Sequence, residues 1–397
     1  MRIGLVNLIT KTADVAADGS VLSTANLTPG TDGDINIVEL GRRMARRGHE
    51  VTIYVADTYR PKERSDLAQP YVEYLPTRLP LLFPPSLAPL TPSLAPVLRK
   101  QKLDVVQSGE VFQPGTMLSW TATRDPGTNM FVWQELDTYM RGPLGWAQKR
   151  FYGAFGRTMA EHCGGVIPRS RSARGHLLET GFPDHKMSPV VHSGVDTQLY
   201  RPMNKHESRQ RFGIDEDRNV LLSIGRFHDN KGMDILLKAM AHLRNWDPDA
   251  LLVIKGAGPQ EGALREMVRA LGLEDNVEIN TSHLARRDMP VLYNCADLLA
   301  IASRVDLFPF TAIEAISCGV PVATSFGRGL KTDIVDEGAG AMIRPAPKAM
   351  AEDLLSLLED PVRLDSMGHR ARQLALRDFD FEVAVDRLLS IYGGGCS

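Results

Sequence analysis

The sequence predicts an α/β protein built on parallel sheets with two separate cores, and three observations carry that expectation. Short apolar runs at residues 2–7, 51–55, 220–224 and 298–302 have the length of strands buried on both faces. Between such runs lie helical spacings, Ile35, Val38, Leu40 and Met44 in one place and Met233, Leu236, Leu237 and Met240 in another. Finally, 397 residues with 43% hydrophobic content exceed what one core usually organises.

The elements follow in order. Strand 2–7 leads into a loop that runs to Gly33, is rich in Thr, Gly, Asp and Asn, and includes Pro29. Loops this long inside compact domains are usually functional or mobile. The helix after it ends at Gly48 and strand 51–55 completes a βαβ opening, although the glycines make no clean dinucleotide fingerprint. Arg42, Arg43, Arg46 and Arg47 give that helix a basic segment, which fits a solvated face or one that rests on an anionic membrane. Residues 75–98 carry Pro76, Pro80, Pro84, Pro85, Pro89, Pro92 and Pro96, which interrupt any long helix. That segment reads as a packed connection, a substrate-lining loop or a surface that meets lipid. Strand 103–106 precedes Glu110 at a carboxyl edge. A helix with Val383, Val385, Leu388, Leu389 and Ile391 closes the chain.

Two loops of the second half hold the chemistry. Strand 220–224 breaks at Gly225, and Arg226 and Lys231 flank the turn into the next helix. Two cations at a sheet's carboxyl edge can neutralise a diphosphate, Arg as a planar fork and Lys as a point charge. Strand 298–302 is followed by Asp306, a helix at 312–318 that holds Glu314, and Gly319 as its stop. Ligands of open α/β sheets bind at that edge, and a helix start there offers N–H groups and a positive dipole to phosphate. Two acceptor-only carboxylates suit sugar or ribose hydroxyls. Solvated loop charges are the plainer alternative for all four residues.

Both loops resemble those of family 4 of the retaining glycosyltransferases. Further similar pieces lie in the family's order: Gly30 to Val55 with Gly48-His49-Glu50-Val51, His192-Ser193-Gly194-Val195-Asp196, Gly256-Ala257-Gly258-Pro259, and Leu271-Gly272-Leu273-Glu274-Asp275-Asn276-Val277. The resemblance implies the GT-B fold, two Rossmann-like doubly wound parallel-sheet domains facing across a cleft. The domains expected are 1–186 for the acceptor, 187–372 for the nucleotide sugar, and 373–397 as a helix packing back on the first.

It also implies roles. Arg226 and Lys231 grip the donor diphosphate, with Gly225 and Gly33 beside it and the backbone of Phe310, Thr311 and Ala312 completing the cradle. Glu314 holds the ribose, Asp306 the donor sugar, and the loop with His283 and Leu284 the base. His283 equally fits plain surface. Two residues depart from the family pattern: Asp306 stands where Glu is usual, and Gln134 where many members have His. Gln cannot carry a proton, which argues against a general acid or base at that place. Glu110, Gln134 and Glu135 are the candidates on the acceptor side. Asp32-Gly33-Asp34 matches a metal motif of another glycosyltransferase fold, and also a turn followed by a helix cap.

The function expected is retaining transfer of a sugar from a nucleoside diphosphate sugar, UDP or GDP foremost, to the hydroxyl of a sugar, lipid-linked or small-molecule acceptor. No metal and no cofactor besides the donor are called for. The competing readings are a non-catalytic nucleotide-sugar-binding protein and an epimerase or phosphorylase on a similar fold. With 46 basic and 48 acidic residues, the net charge of -2 gives no bulk attraction to nucleic acid. A start directly on a strand and four scattered cysteines predict cytoplasmic placement, with peripheral contact at the inner face of the membrane as the variant.

Overall fold

The computed structural model describes residues 1–9, 14–15, 21–23, 36–60, 70–83, 87–124, 127–140, 142–305 and 308–394. The expectations on Gly33, on Asp32-Gly33-Asp34 and on Asp306 lie outside these residues. The chain forms two compact units, Met1–Gly194 with Phe381–Ser397, and Val195–Asp380.

The first unit holds six parallel strands: β1 (Arg2–Val6), β2 (Glu50–Ala56), β3 (Tyr71–Leu75), β4 (Val105–Gly109), β5 (Asn129–Gln134) and β6 (Gly165–Pro168). Their spatial order is β3-β2-β1-β4-β5-β6. The second unit repeats the pattern with β7 (Val220–Ile224), β8 (Leu251–Lys255), β9 (Val277–Asn280), β10 (Leu298–Ile301), β11 (Val322–Thr324) and β12 (Gly340–Met342). Its order is β9-β8-β7-β10-β11-β12, again parallel throughout. In each sheet the winding reverses beside the first strand, and that switch point opens a crevice at the carboxyl ends. The inner strands are apolar without alternation because helices cover both faces; Leu298, Leu299 and Ala300 are fully buried.

Five helices carry the argument that follows: α1 (Asn36–Arg46), α2 (Gly142–Phe151), α3 (Met233–Leu243), α4 (Phe310–Ser317) and α5 (Phe381–Gly394). Helix α4 begins two residues before the expected 312, because extended Pro309 ends the preceding loop and Phe310 starts the turn. The proline-rich segment includes a helix, Leu94–Gln101, that tolerates Pro96 in its first turn, where no intrahelical N–H is needed.

The units divide at Gly194 and Asp380, later than the expected 186 and 372. The backbone N–H groups of Ser188 and Val191 bond the carbonyls of Val166 and Pro168, which ties residues 187–191 to the first sheet. At the other border, the Arg372 guanidinium donates to the carbonyls of Tyr200, Ser317 and Thr197 and belongs wholly to the second unit. Helix α5 then rejoins the first unit. Phe381, Val385 and Leu388 are buried with Ile3, Leu5, Leu40 and Met44, and the Tyr392 hydroxyl donates to Gln107 Oε1 at 2.6 Å. Gly194 is required there, since a Cβ would fall 2.2 Å from the Phe381 ring.

The basic segment of α1 has acidic partners inside the unit. Arg43 pairs with Glu39 and Glu382, Arg47 pairs with Glu382 and Asp386, and Arg42 pairs with Glu39. Helix α5 therefore neutralises much of the face that the sequence offered to a membrane. No described helix is long and apolar enough to cross one.

Candidate active site

The loops at the carboxyl edge of the second sheet carry Arg226, Lys231 and the first turn of the helix that holds Glu314. After β7 the chain passes Gly225, exposed Arg226 and buried Phe227, makes one tight turn at Asp229–Lys231, and enters α3 through Gly232. Gly232 has φ 64°, and a Cβ there would meet the Ala302 carbonyl at 1.9 Å. Only glycine lets this loop lie so close to the end of β10. The Lys231 stem runs beside Gly225, and its side chain lines a crevice with Ser223, Ala302, Ser303, Pro309 and Thr311. Lys231 and the first turn of α4 are thus neighbours across the switch point.

Pro309, at the N-cap of α4, makes no side-chain capping bond, and the first turn of the helix holds no acidic residue. The positive end of its dipole lies at the crevice, which Pro309 and Thr311 line. One turn further on, half-buried Glu314 accepts a 2.5 Å hydrogen bond from the Tyr293 hydroxyl. Tyr200 lies beside Tyr293, ring centroids 6.0 Å apart. Burial and then the Glu314 charge push both phenols well above their ordinary pKa, so each stays a neutral donor.

The loop that carries Asp306 is anchored on its described side. Arg304 forks onto Asp234 at 2.8 and 2.7 Å and donates to the Asp229 carbonyl at 2.6 Å, while its own N–H bonds the Asn230 carbonyl. The guanidinium holds the Asp234 carboxyl below the usual aspartate range. Neither this clamp nor Tyr293 is visible in the sequence, because each joins residues far apart in the chain. Beside them, Lys255 ends β8 almost buried, and its ammonium reaches Asn280 Oδ1 and the Ser282 carbonyl. Burial lowers its pKa. It fixes the loop in which His283 is exposed and Leu284 packs on the core.

The acceptor-side candidates gather at the carboxyl edge of the first sheet. Glu110, with φ 58°, accepts from the N–H groups of Glu135 at 2.8 Å and Leu136 at 3.3 Å. Gln134 is fully buried: its Oε1 accepts from the Val111 N–H and its Nε2 donates to the Leu136 carbonyl. Both amide ends thus serve the loops, and contact with an acceptor would require those loops to move. Glu135 faces Arg169 at 3.4 Å, and that guanidinium lies 4.4 Å over the Trp133 ring. Arg169 was not foreseen.

Two doubly wound parallel sheets, the second with a cationic loop beside a helix start, form an architecture of the GT-B class. The chain belongs to glycosyltransferase family 4: residues 35–199 match Glycosyltransferase Family 4 and residues 204–374 match Glycosyl transferases group 1. It is 32% identical over 232 residues to a D-inositol 3-phosphate glycosyltransferase of Segniliparus rotundus, covering 57% of this chain and 51% of that protein. It is also 32% identical over 235 residues to a mannosylfructose-phosphate synthase of Agrobacterium fabrum, covering 55% and 47%. The chain therefore spans about half the length of these relatives. In fold it is similar to Anabaena HepE solved with UDP, with TM-score 0.70 and 17% identity over 99% of this chain and 100% of that one. A glycosyltransferase of Rickettsia africae superposes with TM-score 0.72 and 16% identity, covering 98% and 97%.

Proposed function

We propose that this chain transfers a sugar from a nucleoside diphosphate sugar to an acceptor hydroxyl with retention of anomeric configuration. The observation that carries the proposal is the crevice that Lys231 and the first turn of α4 line together at the switch point of the second sheet. A diphosphate bound over the mouth of that crevice meets the positive end of the α4 dipole on one side and the Lys231 ammonium on the other. Arg226, on the same loop, adds the second cation. As the bond from the anomeric carbon to the phosphate oxygen breaks, charge accumulates on that oxygen, and these groups stabilise it more than they stabilise the bound donor.

Glu314, fixed by Tyr293, accepts from ribose hydroxyls; Asp306 accepts from the donor sugar, and the His283–Leu284 loop meets the base. Uridine and guanosine diphosphates are the first nucleotides to test. The donor itself brings the leaving group, so the reading calls for no further cofactor. Support comes from the family and from relatives named D-inositol 3-phosphate glycosyltransferase and mannosylfructose-phosphate synthase.

The test has two stages. Calorimetric titration with uridine, guanosine and adenosine diphosphates reads nucleotide binding, and matched sugar nucleotides with a panel of acceptors read transfer. Tight binding of one nucleotide with a new glycoside bond of retained configuration is expected. Binding without transfer or donor hydrolysis would turn the assignment to a nucleotide-sugar-binding module.

A further inference from the structure

The strand beside β7 ends in a buried cation that the diphosphate chemistry does not use. Lys255, the last residue of β8, is only 7% exposed. Among the described residues its ammonium donates to neutral acceptors alone: Asn280 Oδ1 at 2.8 Å, the Ser282 carbonyl, and Ser282 Oγ at 3.5 Å. Glu278 stands one step away, through the Asn280 amide, whose Nδ2 donates to it at 3.3 Å. A buried ammonium without a carboxylate on it is costly, and a neutral side chain would close a sheet edge at less cost. Asn280 strengthens the hold, because its Oδ1 also accepts from the Ser282 hydroxyl at 2.7 Å and the Ser282 N–H at 3.2 Å. Ser282 thus has its hydroxyl and both its backbone groups committed to Lys255 and Asn280.

The next two residues differ. The backbone N–H and carbonyl groups of His283 and Leu284 form no hydrogen bond among the described residues, so an open main-chain edge follows directly on a fixed residue. The strand also determines on which side this edge lies. Leu251 and Val253, which alternate with Lys255 along β8, belong to the core cluster that contains Tyr293, and Leu284 packs on that cluster. By the two-residue period of a strand, Lys255 leaves the sheet on this same face, where Tyr293 holds Glu314. The carboxylate proposed for the ribose and the open edge at His283 and Leu284 therefore share one side of the sheet, as the ribose and base of one nucleotide must.

We propose that Lys255 is the positioning residue for base selectivity: it clamps Ser282 so that the main-chain groups of His283 and Leu284 keep one register against the donor base. The inference rests on the nucleotide reading above, with the base at this loop. Each base presents its donors and acceptors in a fixed order, so a held main-chain edge separates bases and a slack one does not. Calorimetric titration of the full chain with uridine, guanosine and adenosine diphosphates, and with inorganic pyrophosphate, which has no base, tests it. The wild type should favour one nucleotide about tenfold or more over the other two. Lys255→Met keeps the stem and removes the ammonium; it should weaken the favoured nucleotide about tenfold and shrink its margin over the others, with pyrophosphate affinity within about twofold of wild type. Asn280→Ala, at a partly exposed position, should move that margin in the same direction by about threefold. A purely structural role would weaken pyrophosphate and all three nucleotides alike, and that outcome overturns the proposal, as does a margin that neither variant changes. A wild type that binds pyrophosphate yet treats the three nucleotides equally overturns it too. If the wild type bound neither pyrophosphate nor any nucleotide, the diphosphate crevice itself would fall, and this proposal with it.

Discussion

At the residue scale, the proposed chemistry rests on side chains whose types were fixed by what they must bind and whose positions were fixed by neighbours far away in sequence. Arg226→Ala and Lys231→Ala should each lower kcat by roughly a hundredfold, since one lost donor to a developing anion costs about 3 kcal/mol. Unchanged kinetics in both would remove them from the site. Tyr293→Phe deletes the hydroxyl that holds Glu314; urea unfolding should show a loss of about 1.5–3 kcal/mol, the usual value for a hydrogen bond to a charged group. Nucleotide affinity should fall with it, and a variant that lost stability alone would separate Glu314 from the ribose. Asp306→Glu lengthens the carboxylate by one methylene, and we expect a changed preference among sugar nucleotides at unchanged thermal stability. Equal selectivity would count against contact with the donor sugar. Gln134 teaches a different lesson: the sequence marked it by its departure from a family pattern, whereas its burial gives it to the loops around it.

At the scale of elements, the Arg304 clamp joins the loop after β10 to the loop and helix after β7. Both partners are partly exposed, so Arg304→Ala should cost less than about 1 kcal/mol of global stability. Its larger effect is expected on nucleotide affinity, because the crevice between those loops loses its lateral tie. The sign of its pH dependence follows from the lowered Asp234 pKa. The pair contributes fully above the unfolded aspartate value of about 3.9 and loses its contribution as pH falls through the depressed folded value. The stability gap between wild type and R304A, measured by denaturation across acidic pH, should therefore be complete near neutrality and close below that value. A gap that widened on acidification would rule the ion pair out as its cause. Helix boundaries were legible only to within two residues; Pro309 set the start of α4, as a local backbone constraint rather than a hydrophobic period.

At the scale of the whole molecule, the return of α5 makes the first unit discontinuous in sequence. Phe381 is fully buried against the Gly194 backbone, so Phe381→Ala should destabilise the first unit by about 3–5 kcal/mol. Calorimetry should show one lowered transition while nucleotide titration of the second unit stays near wild type. Equal loss of nucleotide binding would contradict the assignment of α5 to the first unit alone. The same helix supplies Glu382 and Asp386 to Arg43 and Arg47 of α1, so half of that basic segment is paired across the two helices.

Read alone, the sequence determined the α/β class, the two cores and the loops that carry Arg226, Lys231 and Glu314. Each of these follows from local signals: apolar runs of strand length, helical spacing, and glycines at fixed turns. Tertiary structure decided where the units divide, which carboxylates neutralise the basic helix, that Gln134 is interior, and that Tyr293 and Arg304 brace the crevice. Those outcomes depend on pairings such as Arg304 with Asp234 and Phe381 with Gly194, which link residues 70 and more apart. A linear pattern fixes the neighbours along an element, while only the winding of the chain fixes the neighbours across it.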